Sequence, residues 1–233
     1  MKMQKLGGYS AIATVCLGVI LVAMVLPLAS RYGLNQPNAG LDPAKVSALY
    51  AGASTTVWAA SILEILGSIL FLFVAFALYE RMRDKAPNLV RMLIIAASAS
   101  CVLTLVEIMI GIRSMAAMKG AGDVSAYKPF LVMGQGLSTA SDNISGWVTL
   151  LIGMAVLTTR ALPRFIGWAF LALGILGVIS FALPTNTDAG AVGIAILIVL
   201  GLLYAISAVW MGIALLRAQE TAVPAKTMAA QAR

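Results

Sequence analysis

The run Ser61-Ile62-Leu63-Glu64-Ile65-Leu66-Gly67-Ser68-Ile69-Leu70-Phe71-Leu72-Phe73-Val74-Ala75-Phe76-Ala77-Leu78-Tyr79 is apolar almost throughout, and Glu80-Arg81-Met82-Arg83-Asp84-Lys85 follows it at once. Extended back to residue 54, the run exceeds the roughly 20 apolar residues that a helix needs to cross a hydrocarbon core about 30 Å thick. The abrupt charge cluster marks where such a helix would meet water. One carboxylate, Glu64, stands inside the run.

Five further runs of the same kind lie at about 8–30, 90–114, 131–158, 165–184 and 191–216. The first follows Lys2 and Lys5, as a secretory signal would, but its apolar stretch is longer than a signal core of roughly 7–15 residues. It is read as a transmembrane helix. Composition agrees: 61% of the 233 residues are hydrophobic and 11% charged, against about 45–50% and about 25% in soluble domains. The expectation is an all-α, polytopic membrane protein, a six-transmembrane-helix bundle over residues 1–217. An Ala-rich, disordered cytoplasmic tail is expected over 218–233.

The basic residues give the bundle a direction. Lys2, Lys5, Arg81, Arg83, Lys85, Arg91, Arg160, Arg164, Arg217, Lys226 and Arg233 fall on one side, whereas Arg31, Lys45, Arg113, Lys119 and Lys128 fall on the other. The positive-inside bias then places both termini in the cytoplasm. It also accounts for the net charge of +7 without nucleic acid, since no basic segment is long enough to form a binding face. On the outer side, Asp42-Pro43 reads as an N-cap with proline at the first helical position. A short helix on the membrane surface through Val46, Leu49 and Tyr50 should follow.

The chain has no histidine. This removes the usual ligand of haem, zinc and copper and the base of nucleophilic triads. Cys16 and Cys101 stand alone in separate runs and read as small packing residues. No cofactor, metal site or catalytic residue is expected. Gly167, Gly174 and Gly177 on the fifth run read as a close helix-packing face.

Three acids lie inside spans, where placing a charge is costly: Glu64, Glu107 and Asp142. Counted from the span ends at 1.5 Å per residue, all three fall in the outer half of the membrane within about one helical turn of one another. Each shares a helical face with small and hydroxyl-bearing residues: Ser61 and Ser68; Ser100, Thr104, Gly111 and Ser114; Gln135, Ser138, Thr139, Ser145, Gly146 and Thr149. Buried carboxylates lining an outward-facing cavity between the second, third and fourth helices are therefore expected. Arg113 and Asn143 are the nearest groups able to bind with them or to pair with them in a purely structural network.

Several short motifs carry a family resemblance. They are Lys5-Leu6-Gly7-Gly8, Leu41-Asp42-Pro43-Ala44-Lys45-Val46, Leu78-Tyr79-Glu80-Arg81, Asp142-Asn143-Ile144-Ser145-Gly146, Leu162-Pro163-Arg164 and Leu215-Leu216-Arg217. On these the chain resembles an uncharacterised bacterial family of six-span membrane proteins whose domain has no known function. The resemblance implies six helices in a bacterial cytoplasmic (inner) membrane and supplies no cofactor or catalytic residue. Two functions fit the sequence. The first is a non-enzymatic protein that binds a small ligand, a lipid or a protein partner as an accessory or structural subunit. The second is a small transporter or channel for protons, cations or cationic solutes that uses the acidic cavity. The lipid bilayer is the expected partner of either, with room for a membrane-protein partner or a homo-oligomer. A lipid enzyme working by carboxylate acid–base chemistry has only the same three acids behind it.

Overall fold

A computed structural model describes residues 3–34, 39–119, 121, 123–180 and 190–217, the side chains of 180 and 190–198 aside. Among these residues there are six α-helices: α1 Met3–Arg31, α2 Pro43–Met82, α3 Pro87–Met118, α4 Lys128–Thr159, α5 Arg164–Ser180 and α6 Gly190–Arg217. Short 3-10 turns at Ala39–Leu41 and Ser125–Tyr127 precede α2 and α4. The architecture is all-α, and five of the six helices are long and apolar enough to cross a membrane. The exception is α5, apolar but only 17 residues long. Residues 181–184 of the expected fifth span, and the tail expected over 218–233, lie outside the described residues.

The start of α2 follows from its local chemistry. Asp42 has extended backbone and its side chain accepts a hydrogen bond from the Ala44 N–H at 3.0 Å, with Pro43 opening the helix. This satisfies a donor that the first turn otherwise leaves unpaired. At Ala53 the backbone leaves the helical region (φ −144°, ψ 30°) and divides α2 into a short leading helix and a long span. The Trp58 indole N–H donates to the Tyr50 hydroxyl at 3.1 Å across this kink. The short outer helix expected from Asp42-Pro43 is thus present. It does not simply rest on a membrane surface, however. Val46 and Tyr50 are buried against the protein, because their apolar faces find the bundle and the Ala39–Leu41 turn within reach.

Successive helices pack on one another, and α6 returns to α1, closing a ring. The beginning of α1 and the end of α6 share one end of the bundle with the brief connections 83–86 and 160–163; we call this the short-loop end. Residues 32–34, 39–42, 119, 121 and 123–127 occupy the opposite, wide-loop end.

Glycines set the closest approaches. A Cβ on Gly8 would stand 2.9 Å from the Gly212 carbonyl oxygen, and one on Gly212 would stand 2.8 Å from that of Gly8. On α5, Gly167 faces Val156 and Leu157, Gly174 faces Leu150 and Gly177 faces Gly146. The packing face read from the α5 glycines is therefore real, and it is pressed against α4. In lipid, apolar attraction gives helices little reason to associate, so such contacts supply the van der Waals energy that holds them.

The centre of the ring is filled at the short-loop end. Val74, Ala75, Leu78, Val148, Ile152, Phe170 and Met211 are each at most 1% exposed. Basic residues complete this end: Arg81 donates from Nε and Nη2 to the Ala161 carbonyl oxygen at 3.1 and 2.8 Å, and Lys85 Nζ reaches the Thr159 carbonyl oxygen at 3.4 Å. They satisfy carbonyls that the end of α4 and its following turn would leave open. The outer surface carries large apolar side chains, among them Leu26, Ile95, Met109 and Leu202. That distribution suits a hydrocarbon surrounding.

Candidate functional site: an acidic crevice at the wide-loop end

The seam between α3 and α4 is built from hydroxyls. Ser100 and Ser145 meet at 2.8 Å, and one turn further toward the wide-loop end Thr104 and Ser141 meet at 2.9 Å. Thr104 also donates to the Ser100 carbonyl oxygen at 3.1 Å, which leaves Ser141 as donor to Thr104. One turn further again, the Ser138 hydroxyl sits beside the Glu107 carboxylate. Asp142 adjoins Ser141 in sequence and therefore lies about one turn deeper than Glu107.

Beyond the seam the helices part. A crevice of about 430 Å³ opens between α2, α3 and α4, bordered by Glu64 and Glu107. Ser61, Ser138 and Gln135 add polar groups, and Leu49, Ile112 and Met115 are among its apolar walls. Leu34 and Gly40 from the α1–α2 connection, with Val46 from the short leading helix of α2, form its rim. Glu64 lies within electrostatic reach of Glu107 and Asp142, and Glu107 within reach of Asp142. Of the three acids expected to line this space, Glu64 and Glu107 border it, and Asp142 is not among its lining residues.

The three acids are not buried as expected. Glu64 and Asp142 are exposed on the protein and Glu107 is half-buried. The reason is helical phase. Ser100, Thr104, Ser141 and Ser145 occupy the α3–α4 contact, and a neighbouring residue points about 100° away. Asp142 therefore turns out of the seam that Ser141 enters, while Glu64 and Glu107 turn into an open crevice.

Arg113 and Asn143 are not among the residues bordering this crevice. Arg113 is exposed and lines a smaller, largely apolar hollow with Tyr127, Phe130 and Met133; Asn143 is half-buried beside Asp142. Arg83 and Asp84 form an ion pair at 3.8 Å on the surface of the short-loop end. Among the described residues, Arg113 forms no ion pair with Glu64, Glu107 or Asp142.

Sequence reasoning missed Ser141, and with it the seam. The signal existed: Ser141, Ser145 and Thr149 recur every four residues along α4, matching Ser100 and Thr104 on α3. Compared with protein families, curated proteins and solved structures, the chain matches none, so the geometry carries the functional reading.

Proposed function

We propose that this is a non-enzymatic, multi-pass protein of a bacterial cytoplasmic membrane that binds a small organic cation in the crevice between α2, α3 and α4. The wide-loop end faces outward and both chain ends face the cytoplasm, in keeping with the excess of lysine and arginine at the short-loop end. One observation carries the binding reading: two carboxylates on different helices border a single crevice whose remaining walls are mostly apolar. An ammonium head would pair with Glu64 and Glu107, and a short alkyl body would lie against Leu49, Ile112 and Met115. The connections between helices are too brief to hold a catalytic domain, which favours binding over chemistry.

Titration of the protein in lipid nanodiscs with butylammonium tests this reading. Saturable binding is expected, with neutral butanol failing to compete. Glu64→Gln and Glu107→Gln should each weaken binding about tenfold, or about 1.4 kcal/mol. Asp142→Asn, outside the crevice, should weaken it less. Equal binding of butylammonium and butanol, or unchanged binding in the double variant Glu64→Gln/Glu107→Gln, would overturn the proposal.

Transport of the bound cation is the second reading, and one observation favours it. A further cavity lies beneath the crevice, bordered by the same three helices together with α1 and α6. Against a standing channel, the packed apolar side chains at the short-loop end close the axis of the ring.

A further inference from the structure

The ring of helices is hollow at one level. A cavity of about 260 Å³ lies one to two turns below the crevice, and five helices border it. Seven hydroxyl-bearing residues line it: Thr14 from α1, Ser68 from α2, Ser100 and Thr104 from α3, Ser145 and Thr149 from α4, and Tyr204 from α6. No charged side chain is among its lining residues.

Most of those hydroxyl protons are already committed. Thr14 donates to the Ser10 carbonyl oxygen at 2.9 Å, Thr104 to that of Ser100 at 3.1 Å and Thr149 to that of Ser145 at 2.8 Å. Ser100 and Ser145 share one more proton between them. Each of these oxygens keeps lone pairs to offer, so the cavity is richer in acceptors than in donors. The Tyr204 ring is held edge-on against Phe170, centroids 6.0 Å apart. Tyr204 is half-buried and borders the cavity, and its hydroxyl makes no hydrogen bond to any described residue.

We infer that this cavity holds a small monovalent cation, an alkali ion with its accompanying water, coordinated by hydroxyl oxygens. Neutral oxygen donors suit hard cations. A divalent ion here would lack the anionic ligands that offset its desolvation. The volume exceeds the roughly 30 Å³ that one water occupies, leaving space for an ion and several waters. Glu64 and Glu107, one to two turns nearer the mouth, and Asp142, within about one turn of the cavity, supply a negative potential that draws cations inward once any of them is ionised. The way in runs from the crevice past the Thr104–Ser141 pair, which stands between the two spaces. The inference rests on the crevice reading only for that access route, and its ligand is different.

Thermal unfolding in nanodiscs separates the two. Sodium or potassium chloride should raise the melting midpoint relative to equal N-methyl-D-glucamine chloride, whose long polyhydroxylated chain suits neither coordination in the inner cavity nor the apolar walls of the crevice. Ser145→Ala and Tyr204→Phe should each weaken the alkali-ion effect about tenfold in half-maximal concentration while keeping butylammonium binding. Their midpoints in N-methyl-D-glucamine alone report whether they fold. Conversely, Glu64→Gln/Glu107→Gln should lose butylammonium binding and keep a measurable alkali-ion response. Two outcomes would overturn the inference: no alkali-ion effect on the unaltered protein, leaving a cavity that holds only water, or an effect untouched by Ser145→Ala and Tyr204→Phe but lost in the acid double variant, which would place the ion in the crevice.

Discussion

Ser141 and Asp142 are chain neighbours with opposite surroundings: the hydroxyl is 5% exposed and clasped to Thr104, while the carboxylate is exposed. Interhelical hydrogen bonds of this kind contribute about 0.6 kcal/mol on average within a membrane. Ser141→Ala should therefore cost roughly that amount in unfolding from mixed micelles, and Asp142→Asn should stay within about 0.5 kcal/mol of the parent. At the wide-loop end, Asp123 accepts hydrogen bonds from the Ser125 N–H at 2.9 Å and hydroxyl at 2.5 Å. These hold its carboxyl below the usual carboxylate range. Because the folded value is the lower one, the turn gains stability above the ordinary value of 3.8 and loses it as pH falls through the depressed value. A carboxyl-carbon NMR titration should find Asp123 ionised further into acid than in Ser125→Ala. The acids stood out in the sequence because charge is scarce there. The seam did not, since serine and threonine are common and only the partner helix reveals which of them meet.

Helix boundaries were largely legible, because runs of apolar residues ending in Glu80-Arg81 or Leu162-Pro163-Arg164 leave few places for a span to stop. The short helix before the span was legible from Asp42-Pro43, though the kink at Ala53 and the burial of Val46 and Tyr50 required knowing what lay beside them. Spacing also exposed the glycine face of α5, but not the Gly8–Gly212 contact, whose partners stand at opposite ends of the chain. This contact makes a graded prediction. Gly212→Val and Gly146→Val force helices apart at backbone, and each should cost about 1–3 kcal/mol. Gly18→Ala and Gly134→Ala, where an added Cβ meets nothing within 4 Å, should leave the melting midpoint unchanged or slightly raised by the better helix propensity. Arg160, which ends α4 at φ 51°, adds a backbone test: Arg160→Gly relieves the left-handed strain and should stabilise by about 0.5–1 kcal/mol.

For the whole molecule, the ring could not be read from sequence because its central space brings together Thr14 and Tyr204, near neighbours only after α6 closes on α1. Orientation remains a matter of sides, and single cysteines resolve it. After Cys16→Ser and Cys101→Ala, a cysteine at Asp84 should react with an impermeant maleimide only in inverted vesicles, and one at Asp123 only in intact cells. The reverse pattern would turn the crevice toward the cytoplasm.

The plug of Val74, Leu78, Val148, Ile152 and Met211 has an electrical consequence. Were the Thr104–Ser141 pair to part and water to join the central cavity to the wide-loop side, the transmembrane voltage would drop mainly across the packed half. A unit charge crossing a full 100 mV changes energy by about 2.3 kcal/mol. An ion resting above the plug has crossed little of that drop, so its occupancy should vary only weakly with voltage. Passage through the plug would carry almost all of the voltage dependence.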